Sequence, residues 1–565
     1  MEKNNGIKLN LFTLILILLI ASILSTTVTC VIVFNFMKNE EKNNEIANGN
    51  NMISEEKQTE NDELNRDTFN YDNITNFDLS FLKLENQKEN KIYSPISIKY
   101  ALKMLEEGSN GETKAQISNL IGKYNLTTYK SNKNLSLANA LFVRDSFGNM
   151  IKENYINILK TKYDAEVKLD SFDSSKNINN WINEKTLQII PEITTDDVVA
   201  ELDFALVNAL AIDMEWEEKF ILARNGGYPS TEFLHETRIL PKDLDWREVE
   251  KKTINVYDIE AVSSNTFKNG NEEIEVSGMR VYASINNYDI VNELGEEKIK
   301  QIVGEEYRKF AKGEPYDEEH AYGDFPLSED VSDSGIERDL AEFLPNYISE
   351  IDSNYHKYGT STDFSIYTDE DVKIFAKDLK EYNDTTLQYI GIMPTTKNLE
   401  KFVEDLDGKT LNNYINNIKD IYYDNFKEGV LTKIYGYIPK FNFEYDLDLM
   451  EDLKSQGITN VFNSEKADLS NMVDGDAYIN TALHKANIEF TQDGIKAAAA
   501  TFIGGAGAGT PFDYEFEVPV EEIDITFDKP YMFLIRDKKT GEIWFMGTVY
   551  EPLLWEDEPE KDPIY

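Results

Sequence analysis

The chain has 565 residues, 41% of them hydrophobic and 12% aromatic, and a formal net charge of −46. That length suffices for a large core with room for a second domain, while so acidic a surface repels phosphate backbones and excludes nucleic acid as a partner. The single cysteine, Cys30, lies in an apolar N-terminal segment, so the remainder has neither a disulfide nor a thiol nucleophile.

Residues 1–8 read as a short cytoplasmic N-terminus. Residues 9–37 carry no charge. They exceed both the roughly 20 residues that cross a bilayer and the apolar core of about 7–15 in a cleaved signal peptide. A single-pass transmembrane signal anchor is expected, with Lys3 and Lys8 inside and the large domain extracellular. A lipoprotein acylated at Cys30, or secretion after cleavage, is the alternative; apolar residues 31–34 continue past the cysteine. Residues 38–72 are polar and aperiodic, which predicts a disordered stalk.

Globular patterning starts near Thr75. NFDLSFLKL (76–84) has helical spacing, and Pro95 suits the first turn of a second helix with Ala101, Leu102, Met104 and Leu105 on its apolar face. Residues 137–143 read as a strand, 177–186 as a helix with Trp181 inward, and 202–212 (LDFALVNALAI) as a strand covered on both sides. From 226 to 355 acidic residues and Tyr dominate, with helix-like stretches at 296–311 and 336–351; this reads as an inserted acidic subdomain. Core patterning resumes at 364–366, and TLQYIGIMP (386–394) is a buried strand. PYMFLI (530–535) and IWFMGTV (543–549) flank the turn DKKTG, and 556–565 form an acidic tail.

Motifs for chemistry are few. No nucleophile elbow or H-E-x-x-H zinc motif occurs. GGAGAG (504–509) lacks the Lys-Ser/Thr pair of a phosphate loop, and the calcium-loop-like start at Asp330 meets Ala341 where the bidentate Glu belongs. His320 beside Glu318 and Glu319 reads as an exposed acidic loop, and His484 as a structural histidine. No metal, cofactor or enzymatic activity is therefore expected.

The most informative stretch is QDGIKAAAAT (492–501), followed by FIGGAGAGT. Four motifs occur in order: YSPISIKYALKMLEEGSNGETKAQI (93–117), LVNALAIDMEW (206–216), HKANIEFTQDGIKAAAAT (484–501) and FMGTVYEP (545–552). Together they resemble the serpin family over about 75–552, apart from the insertion. The resemblance implies an α+β serpin-type fold across 73–555: a large mixed sheet A, smaller sheets B and C, about nine helices and an exposed reactive-centre loop. It places Ser94, Ser97, Asn208 and His484 at the shutter under the point where sheet A opens, and Trp216 at the breach where the loop enters. The hinge comprises Gln492, Gly494, Ile495, Ala497, Ala498, Ala499, Ala500 and Thr501. Strand alternation puts Ile495, Ala497, Ala499 and Thr501 on one uncharged face, which suits insertion into a covered sheet.

Three departures stand out: bulky Ile495 at first entry, Asp213-Met214-Glu215 before the tryptophan, and a loop with excess length at 511–522. Counting seventeen residues from Gln492 puts the reactive bond at Ala508–Gly509, with Phe512, Tyr514 and Phe516 as alternative bait. The implied function is suicide inhibition of an extracellular serine protease through a covalent acyl complex, with an elastase-like or subtilisin-like target. The alternatives are a noninhibitory serpin-fold protein, or a cell-surface adhesion protein working through its insertion.

Overall fold

The computed structural model describes residues 71–557 apart from 123, 126, 218–219, 225–257, 261, 313–331, 355–359, 483, 493 and 496–515. The expected anchor, the stalk up to residue 70 and the acidic tail from 558 lie outside the described residues, as do Ala497, Ala498, Ala499, Ala500, Thr501, Ala508 and Gly509. Tyr71 and Asp72, expected in the disordered stalk, open the helix Tyr71–Leu84, and Trp555–Asp557 forms a short 3-10 turn. Among the described residues no helix is long and apolar enough to cross a membrane. Asp72–Tyr565 forms a unit distinct from Met1–Tyr71.

Apolar runs bounded by turn residues build a seven-stranded antiparallel sheet. Its order is β1 (Lys91–Tyr93), β20 (Ile543–Val549), β19 (Tyr531–Asp537), β12 (Leu387–Pro394), β11 (Val372–Asp378), β10 (Thr360–Thr368) and β13 (Lys419–Tyr422). All eight residues of β12 are buried, as suits a largely apolar strand paired on both edges, and its one amide side chain, Gln388, is bonded to Asp378 and Arg536. Gly547 in β20 permits close packing: a Cβ there would lie 2.0 Å from the Lys91 carbonyl oxygen and 2.8 Å from the Phe533 ring.

A second, four-stranded sheet runs β18 (Val520–Asp524), β14 (Leu431–Pro439), β9 (Glu272–Asn286), β8 (Val262–Asn269), with only the β18–β14 pair parallel. Strands β8 and β9 fall within 226–355 yet place Phe267, Val276, Met279 and Ile285 in the main core. Acidic Glu272, Glu273 and Glu275, exposed at the start of β9, mask its apolar remainder in a composition-based reading.

The helices Ile290–Leu294, Glu296–Ala311 and Asp333–Asn354 have a hydrophobic cluster of their own. Tyr307 stacks on Phe343 with ring centroids 5.2 Å apart, and the ion pairs Arg308–Glu337 (2.6 Å) and Lys312–Asp333 (3.0 Å) join the two long helices at their surface. These three and nine helices elsewhere make twelve α-helices among the described residues, against about nine expected for the whole domain.

The expected large mixed sheet is divided. Strand β2 (Leu135–Arg144) pairs parallel with β3 (Glu166–Asp170) and antiparallel with β4 (Phe204–Ile212). Separately, β15 (Phe441–Leu447) pairs with β16 (His484–Phe490). Two short ladders complete the described strands: β5 (Met214–Glu215) with β17 (Gly494–Ile495), and β6 (Ile221–Arg224) with β7 (Asp258–Glu260). The largest sheet is thus the antiparallel one.

Candidate functional site

Among the described residues β4 pairs only with β2, and β16 only with β15. A cleft of about 270 Å³ lies between their facing edges, lined by residues 204–210 of β4 and 484–486 of β16. A further cavity of about 200 Å³ continues past Leu210–Ile212 and Asn487–Glu489. Ile178 and Ile182 on one side, and Ile98, Leu102 and Phe545 on the other, make much of the wall apolar.

All four expected shutter residues line this cleft. Ser94 caps the helix Pro95–Gly108, its side chain accepting from the Ser97 N–H at 3.2 Å; serine is favoured there because its oxygen satisfies a donor that the first turn leaves unpaired. The Ser94 N–H donates to His484 Nε2 at 2.9 Å. The Ser97 hydroxyl donates to Asn208 Oδ1, and Asn208 Nδ2 donates to Asn139 Oδ1 at 2.7 Å. Asn139 Nδ2 in turn reaches the Tyr163 carbonyl at 2.9 Å. The two banks of the cleft are thus each bonded to the same helix N-terminus. His484 holds Ser94 and makes no bond to Asn208.

Desolvation holds the His484 imidazole well below its ordinary 6.5, at about 4. It is therefore neutral near pH 7, as an Nε2 that accepts a hydrogen bond must be. Sequence reasoning missed Asn139. The signal was present: Asn-Ala-Leu occurs at 139–141 and at 208–210, each the polar break in an apolar strand, and Asn139 lies opposite Asn208 in register.

Beneath the same helix Lys99, fully buried, pairs with Asp78 at 2.9 Å and with Glu542. Tyr124 donates to Glu542 at 2.5 Å. Burial pushes the Asp78 carboxyl up to about 7 even though the Lys99 charge opposes it. This cluster also escaped the sequence reading, since a lone Lys in an amphipathic helix normally faces water.

At the head of the cleft Trp216 is fully buried, edge-on to Phe220, Tyr389 and Phe490 at 5.4–6.1 Å between ring centroids. Its indole donates to the Thr491 carbonyl at 2.9 Å. Past β16 the chain reverses: the Thr491 N–H and hydroxyl both donate to the Gly494 carbonyl at 3.1 Å. Gly494 and Ile495 then pair antiparallel with Glu215 and Met214. Gly494 sits at φ +155, and a Cβ there would come within 2.4 Å of the Met214 carbonyl oxygen, so no other residue fits. The Gln492 carbonyl accepts from the Phe220 N–H at 3.3 Å. Glu215, one of the residues that depart from the family pattern, pairs with Lys380. β17 thus runs antiparallel to β5, the strand that follows β4, at the mouth of a cleft whose strand edges are unpaired among the described residues.

This architecture is that of a known class. The family model for serpin (serine protease inhibitor) matches residues 73–226 and 343–552, and the chain belongs to the serpin family. Neuroserpin of Gallus gallus is 22% identical over 83% of this chain and 88% of its own length, and Serpin B4 of Homo sapiens 24% identical over 84% and 97%. Among solved structures, the native state of the thermophilic serpin tengpin superposes with a TM-score of 0.53 at 21% identity, covering 85% of this chain and 94% of tengpin. Thyroxine-binding globulin in complex with thyroxine gives 0.52 at 16% identity, covering 86% and 99%. The fold is therefore a serpin fold, with a large antiparallel sheet, smaller sheets and twelve helices among the described residues. Serpins as a family are protease inhibitors, not enzymes, and the fold also serves noninhibitory members such as that globulin.

Proposed function

We propose that this serpin is an inhibitor that acts as a suicide substrate for an extracellular serine protease, presented from a membrane by residues 9–37. The supporting observation is the start of an antiparallel strand: Gly494 and Ile495 pair with β5 at the head of the cleft, and the next residues include Ala497–Ala500 in a run of small side chains. The protease serine attacks the Ala508 carbonyl, the Ala508–Gly509 bond breaks, and Gly509 leaves as a free amine. The acyl-linked arm continues the β17 strand between β4 and β16, carrying the enzyme with it. Edges of β4 and β16 then gain backbone partners, and the apolar walls cover the small side chains. Insertion must outrun deacylation, or the chain is only a substrate. Ala508, between Gly507 and Gly509, offers a small side chain, which suits a narrow pocket of elastase or subtilisin type.

The test is incubation with a panel of elastases and subtilisins. An SDS-stable complex, with a released fragment beginning at Gly509, is the expected result. Clean cleavage without a complex would overturn inhibition and favour the noninhibitory reading.

A further inference from the structure

The inserted helices and the return arm of the reactive loop meet at one end of the four-stranded sheet. Asn286 of β9 and Val520 of β18 both lie opposite Leu431 of β14. The helical part of the 226–355 segment begins there. Asn287 exchanges backbone bonds with Val430 and Gly429, both at 3.0 Å, and its side chain reaches the carbonyls of Tyr423 and Phe426 at 3.1 Å. The helix Ile290–Leu294 follows directly. The return arm arrives at the same place, where the Leu431 N–H donates to the Pro519 carbonyl at 2.8 Å.

Phe516 lies between that point and the reactive segment. It is only 9% exposed and packs in the cluster that contains Ile299, Val303, Leu340 and Tyr347. Among the described residues it is the one buried member of this cluster from outside 290–348.

We infer that the inserted helices clamp the return arm of the reactive loop through Phe516 and thereby restrict which bonds a protease can cut. A protease must draw the residue before the scissile bond, extended, into its specificity pocket. A phenyl ring packed among three helices is not free to enter one, so Phe516 is withdrawn as bait although it suits a chymotrypsin-like pocket. The arm from Phe516 to β18 is held as well, so the excess length read at 511–522 is largely not slack. Proteases are thus led to the upstream part of the loop. The consequence for inhibition rests on the suicide-substrate reading; the clamp itself belongs to the free protein.

Limited chymotrypsin digestion with N-terminal sequencing tests it on the full chain. The parent should yield no early fragment beginning at Glu517. Leu340→Ala and Ile299→Ala, which loosen the cluster, should release that fragment about tenfold faster or more, because cleavage follows the population of the opened state. A Glu517 fragment released equally fast from parent and variants would overturn the clamp. Against an elastase, Phe516→Ala should raise the stoichiometry of inhibition several-fold, and Phe516→Leu, still apolar, should stay close to the parent. Equal stoichiometry for Phe516→Ala and parent would overturn the role in inhibition. If no protease is trapped at all, the inhibitor reading fails, while the digestion still decides the clamp.

Discussion

Strands β12 and β4 are both strongly apolar, yet they sit in opposite circumstances. β12 is paired on both edges, buried throughout, and stacked through Tyr389 on Phe533. Among the described residues β4 is paired on one edge, faces a cleft on the other, and carries Asn208 in its middle. Opening a ladder like β12's would expose both backbone and apolar surface at once. The seam between β4 and β16 has its polar groups paired through a third element, the N-terminus of helix Pro95–Gly108, so its banks can separate without orphaning one another. A molecule that must change state can keep a rigid sheet and a yielding seam side by side, because bistability requires only that a local set of bonds have two satisfied arrangements.

The largest effect expected from breaking this comparison is at the loop. Ala499→Arg would carry a guanidinium into the seam, at a cost of several kcal/mol on burial. It should turn inhibitor into substrate, with cleavage retained and SDS-stable complex nearly lost; an unchanged stoichiometry would remove Ala499 from the inserted face.

Within the closed sheet, Ile390→Ala should cost about 2–5 kcal/mol of global stability by cavity formation. Chemical denaturation measures it, and the rate of polymer or latent-form appearance per unit of lost stability should remain that of other core variants. At the seam, His484→Ala leaves the Ser94 N–H without its acceptor, at a smaller cost of about 1–3 kcal/mol. Here polymers or a latent form should appear disproportionately early on mild heating. Equal monomer fractions in the heated parent and variant would show that His484 does not guard the seam.

The smallest effect is on pH. With its folded imidazole held near 4 against an ordinary 6.5, His484 remains unprotonated where the unfolded chain binds a proton. Its contribution is complete above about 6.5 and is lost as pH falls towards 4. Asp78 and Asp452, both pushed up to about 7 chiefly by burial, act oppositely: their contribution is complete at low pH and fades as pH rises through 7. Comparing the parent with His484→Gln isolates the imidazole. The stability gap between them should narrow by about 1–3 kcal/mol from neutral pH to about pH 4.5. A constant gap would place the histidine in a solvated site.

Much of the fold was legible where one physical rule dominates. The largely apolar run of β12, the helix Lys176–Lys185 with Trp181 buried, and the amphipathic helix Glu296–Ala311 all form as apolar patterning predicts. Strands β8 and β9 were hidden because a strand with an acidic, exposed beginning has the composition of a surface segment until a partner covers its other end. Of the candidate site, Ser94, Ser97, Asn208, His484 and Trp216 were singled out through motifs in family order, and the fold brings the first four to one cleft. Phe516 was read as bait, since a Phe in a long loop gives no local sign that helices beginning at Ile290 will bury it.

The sequence by itself determined most of the core strands and helices and the small side chains that follow Gly494, because spacing and side-chain volume act locally. Tertiary structure decided three other things: that β4 and β16 face each other unpaired among the described residues, that Lys99 is buried between two carboxylates, and that the insertion grips the return arm. Each depends on segments hundreds of positions apart meeting in space, and neither periodicity nor composition carries that information.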